Sequence, residues 1–231
     1  MVVNRGNQYS DVEQIPKSHL SSDCRLQLAC MKLELLVIAD QHAAVNTEGK
    51  CRATQIFVCD TPNGTYKPLS DKPITSSDWE CLDGTFFIEN GKPYMVFCHE
   101  WLQVKDGEIC AVPLKDDLSA PDGEPKMLFR ASDNPAVSGM GPDGKNYVTD
   151  GPFLWQEDGK VRMIWSSFYR GRYLVLEAEA DSLLGEWRHG GSKFDFDGGH
   201  AMLFYTLDGK RMISLHRPNV AGKERAFFYE Y

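Results

Sequence analysis

Three ionisable residues, Asp83, Asp150 and His200, each stand directly before an apolar run of strand-forming residues. Asp83 precedes GTFFI, Asp150 precedes GPFLW and His200 precedes AMLFY. Carboxylates and imidazoles are side chains that transfer protons in catalysis, and burying them beside apolar residues is costly unless they serve a purpose. The alternative is local, because Asp-Gly pairs commonly form turns and a histidine can simply end a strand. Spacing alone leaves both interpretations open.

The elements around these residues repeat along the chain. Each apolar run leads through a glycine-containing turn, at Asn90-Gly91, Asp158-Gly159 or Asp208-Gly209, into a second apolar run, which predicts a β-hairpin. The second half of each repeat unit is less closely conserved between copies. In residues 54–66 and 173–187 another predicted strand is followed by an aspartate, a glycine and an aromatic residue. Each unit therefore holds about four strands and recurs roughly every 50 to 70 residues, the size of a propeller blade.

The repeat predicts an all-β protein of the β-propeller type. Residues 51–231 are predicted to form one propeller domain with about three to four blades, and residues 1–50, where no hairpin repeat is visible, an irregular N-terminal segment. The first strand of each blade lies innermost in this architecture. We therefore expect Asp83, Asp150 and His200 to face one central, sugar-sized pocket.

Composition excludes several classes of function. The net charge of -8 argues against a surface that tracks nucleic-acid phosphates. No apolar run reaches the roughly 18–20 residues of a membrane span, and the polar first ten residues contain no signal-peptide core. The chain as written is thus predicted to be cytoplasmic, with its natural start left open. Its seven cysteines include no C-x-x-C pair, which predicts reduced thiols rather than disulfides or a zinc site.

The three strings WECLDGTF at 79–86, YVTDGPF at 147–153 and GGHAMLF at 198–204 resemble glycoside hydrolase family 43. The resemblance covers roughly residues 51–231. It implies a five-bladed β-propeller and an inverting glycosidase, such as an arabinosidase, xylosidase or arabinanase. The implied reaction is hydrolysis of O-glycosyl bonds in arabinose- or xylose-containing plant polysaccharides or oligosaccharides.

The resemblance also implies roles for the three aligned residues. Asp83 lies where the family has the aspartate that orients the acid and tunes its pKa. Asp150 lies where the family has the general acid, commonly a glutamate, so the shorter side chain is a departure. His200 resembles the histidine of the central channel, which implies substrate contact and a weak site for Ca²⁺ or another ion on the axis. No cofactor is required.

The family's general base is the main departure. The resemblance implies an aspartate in an Asp-Pro pair opening the first blade, yet the chain contains no Asp-Pro, and Asp11, Asp23 and Asp40 open no recognisable hairpin. We therefore predict loss of the first blade and part of the second. An alternative function follows, a catalytically impaired carbohydrate-binding remnant, and the uncovered blade faces predict self-association. A propeller that binds another protein through an apolar face is a third possibility.

Aromatic and acidic residues near the aligned positions are candidates for sugar contact. Trp79, Trp101 and Phe168 could stack on a sugar ring, although aromatic residues at such positions often fill the space between blades. Glu80 could bind a sugar hydroxyl or be solvated. The neighbouring Cys98-His99-Glu100 string could suggest a metal or nucleophile site, but strand alternation puts Cys98 and His99 on opposite faces, so no such site is predicted.

Overall fold

The computed structural model describes residues 35–41 as backbone, and residues 52–59 and 64–231 in full. Within these ranges the chain is almost entirely β-structure. The helical elements there are one short turn, α1 (Trp101–Val104), and a 3₁₀ turn at Ala131–Asp133. No helix of the described ranges is long and apolar enough to cross a membrane. The strands are β1 (Leu35–Gln41), β2 (Ala53–Cys59), β3 (Lys67–Pro68), β4 (Cys81–Glu89), β5 (Lys92–His99), β6 (Glu108–Pro113), β7 (Lys126–Arg130), β8 (Asp150–Glu157), β9 (Lys160–Tyr169), β10 (Arg172–Ala180), β11 (Arg188–Ser192), β12 (Gly199–Tyr205), β13 (Arg211–Arg217) and β14 (Arg225–Glu230).

The strands form four antiparallel sheets, each built from consecutive strands of the chain. Sheet 1 contains β1 to β3, sheet 2 contains β4 to β7, sheet 3 contains β8 to β11, and sheet 4 contains β12 to β14. The leading strands contact one another in order, β1 with β4, β4 with β8 and β8 with β12. This arrangement is an incomplete β-propeller, as the repeat predicted.

The hairpins follow from their turn residues. Asn90-Gly91 and Asp158-Gly159 both have positive φ, of 51° and 81° and of 53° and 72°, which is the backbone of a two-residue type I′ turn. Such turns match the right-handed twist of the strands they join. The predicted hairpins β4–β5 and β8–β9 are therefore confirmed, with Glu89 opposite Lys92 and Glu157 opposite Lys160.

Three apolar cores separate the four sheets. Alternate residues of β5 serve two of them, since Met95 packs toward sheet 1 while Val96 packs toward sheet 3. In β9, Met163 packs toward sheet 2 and Ile164 toward sheet 4. Sheets 2 and 3 are thus covered on both faces, which explains their nearly continuous apolar strands. The four cysteines of the described residues form no disulfide, as predicted, and those in residues 1–51 lie outside the described residues.

The N-terminal prediction needs one correction. Residues 1–50 were expected to be irregular, but β1 lies within them and pairs with β2, placing Asp40 opposite Thr54. By the repeat, β2 and β3 match the third and fourth strands of sheet 3, so β1 matches its second strand. The described strands of sheet 1 include no counterpart of the innermost strand of sheet 3, and Asp11 and Asp23 lie outside the described residues.

Candidate active site

Asp83, Asp150 and His200 all lie at a β-bulge, but not at equivalent positions. Asp83 and His200 are the left-handed residues of their bulges, whereas Asp150 stands one residue earlier, as Leu82 and Gly199 do. In β4, β8 and β12 a β-bulge interrupts the strand pairing just after the strand begins, between Leu82 and Thr85, between Asp150 and Phe153, and between Gly199 and Met202. One residue of each bulge is left-handed, with φ of 57° at Asp83, 51° at Gly151 and 51° at His200. Bulges re-aim side chains at the ends of strands, and here they do so at the inner end of three successive sheets.

The bulges bring Asp83, Asp150 and His200 together. The Gly151 N–H donates a hydrogen bond of 2.9 Å to Asp83 Oδ2, and His200 Nε2 lies 3.8 Å from Asp83 Oδ1. Gly151 leaves no room for a larger residue, because a Cβ there would lie 2.9 Å from His200 Cδ2. The Asp83 side chain is only 9% exposed, whereas that of His200 is 48% exposed and accessible to a ligand.

Asp150 is placed in an environment that favours its protonated form. Burial raises the pKa of Asp150 well above its usual value, and the neighbouring Asp83 carboxylate raises it further. A hydrogen bond of 2.9 Å from the Tyr173 hydroxyl to Asp150 Oδ2 opposes this effect. Tyr173 is buried, and burial together with Asp150 raises its own pKa, so the phenol remains a neutral donor.

The strand that carries His200 is fixed against sheet 3. The buried Ser166 hydroxyl accepts a hydrogen bond of 2.8 Å from the His200 N–H. Gly199 packs so closely on Tyr173 that a Cβ would lie 2.4 Å from the ring. The Phe168 ring is not available to stack on a sugar in this cluster, because it packs on the Tyr173 ring with 5.3 Å between the ring centroids. Phe168 therefore contacts the site through Tyr173.

A second charged group lies at the same end of sheet 2. Arg52 donates 2.8 Å hydrogen bonds to Glu80 Oε2 through Nε and to Glu100 Oε2 through Nη2. Glu100 is buried, which raises its pKa, while Arg52 opposes that rise and the Asp83 carboxylate reinforces it. Glu80, a predicted sugar contact, is thus an ion-pair partner of Arg52 with a partly exposed side chain.

The two tryptophans predicted to contact sugar lie beside this charged group. Trp79 stacks on His99 with 4.2 Å between ring centroids and 4° between planes, so one face of its indole is covered. Trp101 begins α1 directly after Glu100 and is partly exposed. Among the described residues no three His, Cys, Asp or Glu side chains are arranged to hold a metal ion. The axial ion at His200 stays a prediction.

Comparison with known proteins assigns the family. The model of Glycosyl hydrolases family 43 matches residues 36–228. This chain belongs to glycosyl hydrolase family 43. Its sequence matches none of the curated proteins.

Solved structures agree with the family assignment. The endo-arabinase from Bacteroides thetaiotaomicron is 38% identical with a TM-score of 0.79, over 87% of this chain and 72% of that one. A thermostable family-43 glycoside hydrolase is 19% identical with a TM-score of 0.71, over 86% and 68% of the two chains. The Cellvibrio cellulosa alpha-L-arabinanase is 15% identical with a TM-score of 0.60, over 86% and 70%. The family 43 structures are five-bladed propellers.

Sequence reasoning missed several residues of this family 43 site. Tyr173 was placed in a predicted strand, and Ser166 and Arg52 were not considered. A signal for Ser166 was present, because the pair Ser166-Ser167 interrupts the apolar run MIWSSFY and proves fully buried. Tyr173 and Arg52 reach the site from neighbouring strands or sheets, and one sequence gives no record of such pairings.

A cavity of about 270 Å³ lies elsewhere, at the outer end of sheet 3. Its lining includes Trp155, Glu179 and Arg188, and it is far from Asp150 because Trp155 lies near the other end of the strand that Asp150 begins. Its charged side chains are engaged with each other, as in the pair Arg188 and Glu179 at 3.5 Å. The cluster of Asp83, Asp150 and His200, rather than this cavity, contains the side chains expected of a glycosidase.

Proposed function

We propose that this chain hydrolyses O-glycosyl bonds in arabinose- or xylose-containing polysaccharides or oligosaccharides by an inverting mechanism. The observation that carries the proposal is the pairing of Asp150, whose pKa is raised, with the adjacent Asp83 in a family 43 propeller. The substrate class is supported by the 38% identity to a protein described as an endo-arabinase.

In this mechanism Asp150 is the general acid. Its carboxyl donates a proton to the glycosidic oxygen while the bond from that oxygen to the anomeric carbon breaks. The Tyr173 hydroxyl then stabilises the Asp150 carboxylate that remains. Asp83, held by the Gly151 N–H, keeps Asp150 protonated before the reaction by placing a like charge beside it.

Asp150 is the acid and Asp83 tunes its pKa, so these two residues are not the acid and the base of the reaction. Asp83 binds the Gly151 N–H, next to Asp150, and its carboxylate raises the pKa of Asp150, whereas the acid and base of an inverting pair stand about 6.5–9.5 Å apart so that a water fits across the sugar. The carboxylate that activates this water must therefore be another group. By the repeat such a carboxylate would open a strand preceding β1, and the described residues include no such strand.

The proposal is tested by turnover of nitrophenyl arabinofuranoside and xyloside and of arabinan and xylan oligosaccharides. Asp150→Asn cannot donate a proton and is expected to lose about 10²- to 10⁴-fold in kcat. Asp83→Asn keeps the shape of the pair but removes the tuning charge, so it is expected to lose activity mainly at higher pH. Equal turnover by wild type and both variants would reject the assignment.

A second candidate is a carbohydrate-binding protein that does not complete hydrolysis. The observation that favours it is that the chain contains no Asp-Pro pair, the context in which the resemblance places the general base. Calorimetry with arabinan and xylan oligosaccharides separates the candidates. Binding without turnover supports the second, and binding with turnover the first.

A further inference from the structure

A buried histidine at the end of sheet 2 faces two oxygen atoms. His99 Nδ1 lies 3.0 Å from Glu108 Oε2, and its Nε2 lies 2.9 Å from Gln103 Oε1. The residue is only 6% exposed, so water does not substitute for either partner. A carboxylate oxygen can only accept a hydrogen bond. Whether His99 Nε2 also faces an acceptor therefore depends on the orientation of the Gln103 amide.

The Gln103 amide is held in one orientation by two backbone groups. Its Nε2 donates to the Asp78 carbonyl at 2.9 Å, and its Oε1 accepts from the Glu80 N–H at 2.7 Å. Flipping the amide would set two acceptors against each other at Asp78 and two donors at Glu80. The atom that faces His99 Nε2 is thus the amide oxygen, so both ring nitrogens of His99 face oxygen atoms that can accept a hydrogen bond.

The surroundings of His99 suit a cation. Glu108 from β6 supplies the counter-charge, and its other oxygen accepts from Arg130 of β7 at 3.2 Å. The indole of Trp79 covers one face of the ring in parallel, a geometry that stabilises a cation by its π electrons. On β4 the residue opposite His99 is Cys81, a buried thiol. The carboxylates of Glu80 and Glu100, which follow Trp79 and His99 in the chain, are bound by Arg52.

The same contacts connect His99 to the proposed acid pair. Glu80 follows Trp79 and Glu100 follows His99, and the Glu100 N–H donates to the Glu80 carbonyl at 2.8 Å. Gln103 joins the Glu80 backbone to His99, so the two segments are cross-linked immediately beside Arg52. Any movement of Trp79 or Gln103 away from His99 would carry Glu80 and Glu100 with it.

We propose that His99 is an imidazolium in the folded protein and is the positioning residue that holds Trp79, Glu80 and the Arg52–Glu100 ion pair beside Asp83. Held in this way, these charged residues form a fixed boundary on the sheet 2 side of the site that contains Asp83, Asp150 and His200. The structural role of His99 is independent of the proposed function, and only its effect on turnover rests on that function.

Long-range ¹H–¹⁵N spectra of the histidine side chains test the charge directly. At pH 7.5 the folded protein is expected to show both His99 nitrogens protonated. His189 is the internal control, since burial lowers its pKa and its ring is neutral at that pH. A neutral tautomer of His99 in wild type at pH 7.5 would overturn the proposal.

Glu108→Gln tests the positioning role without changing the side-chain shape. Its amide can donate to Nδ1, so His99 is expected to become neutral at pH 7.5, and hydrogen exchange at the Glu80 and Glu100 amides to accelerate about tenfold, equivalent to about 1.4 kcal/mol. Glu230→Gln on exposed β14 is the matched control and should change neither signal. Unchanged exchange with a neutral His99 would refute the positioning role, whether or not the chain proves to be a glycosidase.

Discussion

Asp150 combines two opposing influences at one carboxyl group. Burial and Asp83 favour its protonated form, while the Tyr173 hydroxyl favours the carboxylate. A general acid needs both, because it must hold a proton before the glycosidic bond breaks and then tolerate the charge that the proton leaves behind. The balance between Asp83 and Tyr173 therefore decides the pH range in which the acid operates.

Tyr173→Phe removes the hydrogen bond that stabilises the Asp150 carboxylate. The pKa of Asp150 should rise further, so the alkaline limb of the pH profile of kcat/KM is expected to move to higher pH. The maximal kcat is expected to fall about tenfold, as for loss of a hydrogen bond to a charged group worth about 1.5 kcal/mol. Steady-state rates across pH check both effects. A limb that stays in place or moves to lower pH would contradict the assignment of Asp150.

Asp150→Asn should stabilise the fold while abolishing the acid. A carboxyl whose pKa is raised in the folded state binds its proton more tightly there than in the unfolded chain. Stability is therefore lost as the pH rises from the ordinary aspartate range through the raised value. The neutral amide escapes this loss, so the variant is expected to melt higher than wild type at pH 7 and to lose that advantage near pH 4. Thermal unfolding at both pH values checks it, and a lower melting temperature at pH 7 would count against the raised pKa.

The element that positions the site is the bulge shared by β4, β8 and β12. It turns one residue of each inner strand into the left-handed region, which glycine adopts without strain but other residues do not. In β8 that residue is Gly151, whose N–H binds Asp83 and whose missing side chain admits the His200 ring. A glycine is thus needed at position 151 both for its left-handed backbone and for the space that the His200 ring occupies.

Gly151→Ala and Gly159→Ala form a matched pair that separates these two requirements. Both glycines have positive φ, of 51° and 72°, but only at Gly151 does a Cβ meet other atoms. Gly159→Ala should cost about 1 kcal/mol for backbone strain alone. Gly151→Ala should cost about 1–3 kcal/mol more for the clash and should reduce sugar binding. Denaturant unfolding and calorimetry measure the two effects, and equal destabilisation would mean that His200 does not pack on Gly151.

The elements differ in how far the sequence alone could predict them. Hairpins closed by Asn90-Gly91 and Asp158-Gly159 were predictable, because turn chemistry and alternation act within a few residues. Strand β1 was not, since the run that contains it fits a helix as well as a strand until its pairing with β2 is known. The convergence of Asp83 with His200 followed from the repeat, whereas Tyr173 and Arg52 depend on contacts between strands that no local pattern encodes.

At the scale of the whole molecule, the sheets are not equally covered. Sheets 2 and 3 have an apolar core on each face, whereas the described cores cover sheet 4 only on the side of sheet 3. Of the eight large apolar residues exposed in the described ranges, five belong to sheet 4 and its loops: Tyr205, Leu207, Val220, Phe227 and Phe228. Strand β14 is also an edge of its sheet, and an apolar edge strand readily pairs with another chain.

We therefore expect the chain to self-associate through sheet 4. Phe228 is 59% exposed on β14, and Phe228→Lys should place a charge on the uncovered face and shift the protein toward monomer. Leu102→Lys is the matched control, because Leu102 is 64% exposed on α1, outside sheet 4. Sedimentation velocity over a range of concentrations measures the assembly of all three proteins. A wild type that stays monomeric throughout would show that no such interface forms. An equal response to the two substitutions would place the interface elsewhere, because only a surface on sheet 4 distinguishes Phe228 from Leu102.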